Sequence, residues 1–147
     1  MIVTFCGHRE VETPELVYHW LYGTVEELLK GGANIFYLGG YGAFERMAAA
    51  VVREFTAQYP QIEIVLVLPY LYSKIDTAGY TSTLYPSLES VPPRYAISRR
   101  NRWMAEQADI VVAYVLHGWG GAAKMLEYAQ RRQKKTICFS TNTGGKL

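Results

Sequence analysis

The sequence predicts a single α/β domain, a three-layer arrangement in which a five-stranded, mostly parallel sheet carries helices on both faces. Three observations carry this. Short apolar segments alternate with segments of helical period along most of the 147 residues, as right-handed strand–helix–strand units require. Hydrophobic residues make up 50% of the chain, which is the size of one ordinary domain with a real core and contains no internal repeat. Glycine-bearing turns follow three of the predicted strands, at the points where a parallel sheet hands over to its helices.

Residues 2–5 form a short apolar strand. Thr13-Pro14 opens the first helix, with threonine as cap and proline at the first helical position, and Gly31-Gly32 ends it after about Lys30. Residues 35–38 make the second strand, and Phe44, Met47, Ala48, Val51, Phe55 and Tyr59 then recur at the spacing of a helix core face. Residues 62–68 are an almost unbroken apolar run, as expected of a strand covered on both faces, and Pro69 stops it. From Tyr70 to Pro93 tyrosine, serine, threonine and proline dominate without a clean period. That stretch reads as a long ordered excursion, and such loops are often functional. A third helix over about 95–108, a strand over 109–115, a fourth helix over about 121–132 and a last strand over 136–139 complete the set. The domain is thus 1–140, with a frayed C-terminal tail at 141–147.

The charged fraction is 19% and the formal net charge +2, with cations gathered in Arg94 to Arg102 and Arg131 to Lys135. Such a balance suits a local anion site and argues against a nucleic-acid partner. No apolar run approaches the roughly 20 residues of a membrane span, and residues 1–5 read as a strand without a basic leader. A cytoplasmic protein with no membrane association is expected. If Cys6 and Cys138 lie on the first and last strands with another between, they stand roughly 10 Å apart, beyond disulfide reach. His8, His19 and His117 lack paired ligand spacing, so neither a metal nor a cofactor is expected.

The three turns are Gly7-His8-Arg9, Gly39-Gly40-Tyr41-Gly42 and Gly118-Trp119-Gly120-Gly121. Glycine lets backbone amides approach an anion closely, and three such turns would share one sheet edge. Arg100 lies three residues after Ile97 and four before Met104, on the inward stripe of its helix. An inward arginine needs an anion: a ligand phosphate, or a structural ion pair with Asp109 or Glu127. On the fourth helix Ala122, Met125, Leu126 and Ala129 form the apolar stripe, turning Lys124, Glu127 and Arg131 onto a flank as a surface pair or part of a site.

The segments Val3 to Arg9, Leu38 to Phe44 and Arg100-Asn101-Arg102-Trp103-Met104 through Glu127 resemble the SLOG superfamily of Rossmann-like nucleotide-binding proteins, and most closely its DUF1273 branch of Gram-positive bacteria and their phages. The resemblance covers about residues 1–139. It implies a Rossmann-like fold, and it reaches two activities. LOG-type phosphoribohydrolases cleave the N-glycosidic bond of nucleoside monophosphates with an arginine and a glutamate that correspond to Arg100 and Glu127. DprA-type proteins bind single-stranded DNA. Asn101, Trp119 and Ala123-Lys124 depart from the LOG pattern, which alters its phosphate cradle.

The leading expectation is a module that binds a nucleotide or nucleotide-derived small molecule. Its phosphate would lie over the amides of Gly39, Gly40, Tyr41 and Gly42 and of Gly120, Gly121 and Ala122, held by Arg100 and Lys124. Gly7, His8, Arg9, Asn101 and Trp119 complete the ligand-binding set, and the 12 tyrosines and 3 tryptophans supply stacking faces. The alternatives are an N-glycosidic-bond hydrolase, with Glu127 and Arg100 catalytic, and DprA-like binding of single-stranded DNA. The superfamily resemblance also implies a homo-oligomer, such as a dimer.

Overall fold

Among the described residues the sheet has six strands, all parallel. The computed structural model describes residues 1–71 and 74–140; the expected tail at 141–147 lies outside them. In chain order the elements are β1 (Ile2–Gly7), α1 (Pro14–Lys30), β2 (Ile35–Leu38), α2 (Ala43–Arg53), β3 (Glu63–Val67) and β4 (Ser82–Leu84). A 3-10 turn (Pro93–Tyr95), α3 (Ala96–Gln107), β5 (Ile110–Tyr114), α4 (Gly121–Arg131) and β6 (Lys135–Cys138) follow. The sheet order is β4-β3-β2-β1-β5-β6.

The additional strand is β4, which lies inside the stretch read as an excursion. Three residues, Ser82-Thr83-Leu84, pair with Val65-Leu66-Val67 at the sheet edge. Such a short edge strand, with two of its three side chains exposed, carries no readable apolar alternation. Thr81 anchors it: its amide donates to the carbonyl of Ile64, and its hydroxyl accepts from the Ile64 amide at 2.8 Å.

Strand alternation divides the core into two layers. Val3 and Phe5 of β1 and Ile110, Val112 and Tyr114 of β5 face α1 and α2, joining Val17, Leu21, Phe44 and Val51. Cys6, Val111 and Ala113 face the other way, against Met104 and Ala105 of α3 and Met125 and Ala129 of α4. Each face is covered by helices and buried apolar side chains, as a parallel sheet requires. Register places Cys6 beside Ala113 and Ala113 beside Cys138, so one strand separates the two cysteines, and both are free thiols.

Thr13 stands at the start of α1, but not as a side-chain cap. Its φ is 48°, its hydroxyl donates to the Glu12 carbonyl, and its own carbonyl receives the Leu16 and Val17 amides. α2 closes at Arg53; successive turns carry Phe55 and Tyr59 back onto the core. Among the described residues no helix is long and apolar enough to cross a membrane.

Candidate functional site

The chain leaves β1 in one direction along the sheet to β4, then returns to place β5 on the other side of β1. Between the carboxyl ends of β1 and β5 the connections diverge, and a crevice opens there in sheets of this kind. In this protein the crevice is a cavity of about 610 Å³. Its walls come from the loop after β1, the start of α2, one side of α3, and the loop from β5 into α4.

Of the residues singled out in sequence, Gly7, His8, Arg9, Tyr41, Arg100, Asn101, Trp119, Gly120, Gly121 and Ala122 line this cavity. Gly39, Gly40 and Gly42 are not part of its lining. Their glycines answer to packing: a β-carbon at Gly39 would stand 2.8 Å from the Arg100 guanidinium carbon, and one at Gly42 2.9 Å from Cα of Arg9. The Gly39 amide already donates to Glu45 at 2.6 Å and the Ala43 amide to the Arg9 carbonyl at 2.7 Å. Lys124 is exposed and outside the cavity lining. Glu127 is outside it too, its side chain 70% exposed and 3.8 Å from Arg131.

Arg100 is 1% exposed and belongs to both the wall and the core. Nη1 donates to the carbonyls of Gly39, at 3.2 Å, and Val67, at 2.8 Å, while Nε donates to Asn101 at 3.0 Å. The guanidinium lies 5.6 Å from the centre of the Tyr41 ring. It thus ties together the ends of β2 and β3. The carboxylate whose charge acts on it is Glu45, whereas Asp109 accepts the Ile2 amide at 2.7 Å. Burial pushes the Glu45 carboxyl above its ordinary range, against the opposing pull of Arg100 and the Gly39 amide. Glu45 was not anticipated from sequence. Its signal was its spacing from Ala49 and Val52, four and seven residues on, which puts it on the buried face of α2.

The opposite wall is aromatic. His8 stacks on His117 with ring centres 3.9 Å apart, and His117 stacks on Trp119 at 3.7 Å. Nε2 of His8 accepts the Leu116 amide at 2.8 Å, which fixes the neutral ring with its proton on Nδ1. Burial and the neighbouring His117 hold the His8 pKa below the ordinary value. Tyr114, also unanticipated, meets His8 edge-on and accepts the Glu12 amide at 3.0 Å. Trp119 ends the stack and is 70% exposed.

Charge is unevenly placed around the cavity. Glu10, Glu12 and Glu45 come from the β1 loop and α2, whereas α3 and α4 have no acidic residue in their first turns. The first amides of an α-helix have no partner within it. Those of α4 follow Gly120, whose φ of +93° turns the chain into the helix at the cavity wall. Cys6 is among the residues lining the cavity, and burial pushes its thiol pKa up, so it stays protonated. Among the described residues no three His, Cys, Asp or Glu side chains group as a metal site would need.

No protein-family model and no curated protein matches this chain. Solved structures do. DNA processing protein A from Helicobacter pylori, described for its single-stranded DNA binding mode, superposes with a TM-score of 0.70 at 20% identity over 96% of this chain. The TM1055 protein, a structural genomics target, gives 0.62 at 17% over 92%, and DNA processing protein A from Streptococcus pneumoniae gives 0.65 at 17% over 97%. The chain shares their fold. It spans 66% of the Helicobacter protein, 71% of TM1055 and 52% of the Streptococcus protein.

The expectation that nucleic acid is not a partner is corrected by this likeness, because the Helicobacter protein with this fold binds single-stranded DNA. Net charge does not exclude such a partner, because it sums over the whole surface, whereas a nucleic-acid strand meets a single groove.

Proposed function

We propose that the cavity between β1 and β5 binds a nucleotide, with its phosphate at the N-terminus of α4 and its base on Trp119. The succession Trp119, Gly120, Gly121, Ala122 along one wall carries this reading. A largely exposed indole is followed at once by helix amides that lack intrahelical partners. A helix N-terminus favours an anion through both its amides and its dipole. Arg9 adds charge at the mouth, and Lys124 in the first turn of α4 can approach the phosphate from solvent. Arg100 positions the wall by holding the Gly39 and Val67 carbonyls, and its charge adds to the field. Glu10, Glu12 and Glu45 are acceptors suited to sugar hydroxyls or base amino groups on the other side. The hydrolytic alternative has its glutamate, Glu127, outside this cavity.

A second reading makes the nucleotide one unit of single-stranded DNA. It is supported by the single-stranded DNA binding of the Helicobacter protein that shares this fold and by the open outer face of Trp119. Titration of the intact protein with deoxyadenosine monophosphate and with oligodeoxyadenylate, followed by tryptophan emission, tests both. Saturable quenching that Trp119→Ala abolishes without a change in melting temperature is the expected result. No saturation with either ligand, or an unaltered affinity in Trp119→Ala, would overturn the reading.

A further inference from the structure

A second hollow, of about 280 Å³, lies on α3 beside the cavity. Ser90, Val91, Pro92, Tyr95, Ser98, Arg99 and Arg102 line it. It therefore offers two guanidinium groups, two aliphatic hydroxyls and a phenol, and no carboxylate. The ion pairs among the described residues are Lys30 with Glu27 and Arg131 with Glu127, so neither arginine of the hollow is neutralised. Arg94 adds a third cation nearby, its guanidinium 4.7 Å from the centre of the Tyr95 ring. In a chain with a net charge of only +2, three arginines gathered on one surface without a carboxylate partner make a local positive field that attracts an anion.

Arg102 is also oriented in advance. Its guanidinium lies 4.9 Å from the centre of the Tyr128 ring, whose hydroxyl bonds to Glu106. Such stacking reduces the freedom that the side chain would lose on gripping a phosphate. The first turn of α3, with no acidic residue, opens at the same hollow.

The two sites are built on one helix. Ile97, Arg100 and Asn101 line the cavity, while Ser98, Arg99 and Arg102 line the hollow. Their separation is therefore of the order of a helix diameter, about 10–12 Å. A mononucleotide phosphate seated on α4 cannot occupy both, whereas a strand passing over α3 can. We infer that Arg99 and Arg102, with Ser90 and Ser98, form a second anion subsite that takes a backbone phosphate of a single-stranded nucleic acid whose neighbouring nucleotide fills the cavity. This rests on the nucleotide-binding reading in its polymer form. Tyr95, 51% exposed in the lining of the hollow, offers a further stacking face.

The test compares fluorescently labelled oligodeoxyadenylate with deoxyadenosine monophosphate, on the native protein and on an Arg99→Ala, Arg102→Ala double variant. Both side chains are exposed, and an unchanged melting temperature verifies the fold. The double variant is expected to bind the oligonucleotide about tenfold more weakly. Its plot of log affinity against log salt should flatten by about 1.4, roughly 0.7 for each lost phosphate contact on a single strand. Mononucleotide binding should not change, and Arg99→Lys, Arg102→Lys should keep most of the salt slope. Unaltered oligonucleotide affinity and slope in the double variant overturn the subsite and leave the cavity reading intact, as does native protein that binds the mononucleotide alone. Native protein that binds neither ligand overturns both.

Discussion

Arg100 is legible in the sequence, and its partners are not. Its spacing from Met104, four residues on, places it on the inward stripe of α3, and the structure buries it to 1% exposure; Ile97, assigned to the same stripe from sequence, is 38% exposed. The partners that sequence spacing suggested, Asp109 and Glu127, are engaged elsewhere: one accepts the Ile2 amide and the other lies at the surface beside Arg131. The groups that meet Arg100 are the Gly39 and Val67 carbonyls and the charge of Glu45, and they come from segments that only the folded sheet brings together. Truncation would leave the buried Gly39 and Val67 carbonyls without their charged donor. Arg100→Ala should therefore lower the free energy of unfolding by about 2–4 kcal/mol, as losing buried hydrogen bonds to a charged group does. Urea denaturation measures this; a loss under about 1 kcal/mol would show that water replaces the guanidinium.

At the scale of elements, strands and helices with a strong period were readable, and those without one were not. β3 announced itself through an apolar run because both of its faces are covered, whereas β4 is a three-residue edge strand with polar side chains. The loop from β5 to α4 reads in sequence as a glycine turn, but the ring stack inside it depends on His8, from a distant segment. That stack makes the loop sensitive to acid. Neutral His8 accepts the Leu116 amide, and protonation would set two donors face to face beside a second imidazole. Its folded pKa lies below the usual 6.5, so the stabilisation is complete above about pH 6.5 and is lost as pH falls through the lower folded value. The difference in emission between the native protein and Trp119→Phe should therefore change on acidification below that point. His8→Phe, which keeps a ring in the stack but cannot titrate, should abolish the transition. A pH-independent difference would count against the link.

Across the whole molecule, β1 lies between the two halves of the sheet, hydrogen-bonded to β2 on one side and β5 on the other. The cavity straddles that division, so a ligand within it touches both halves and opposes global unfolding. Deoxyadenosine monophosphate at one hundred times its dissociation constant should raise the unfolding free energy by about 2.7 kcal/mol, visible as a higher melting temperature. A melting temperature unmoved by a bound nucleotide would place the ligand elsewhere. The same central position of β1 also orders events as the chain folds. β2 reaches β1 through a short crossover, but Ile2 and Asp109, which clamp the start of β5, are 107 positions apart in the chain. Encounters over such separations are slow. One flank of β1 therefore waits as a bare strand edge until late, prone to pairing with another molecule. The wall holding Trp119 and the amides of α4 takes shape only when that edge is capped, so the capacity to bind would be the last property this protein acquires.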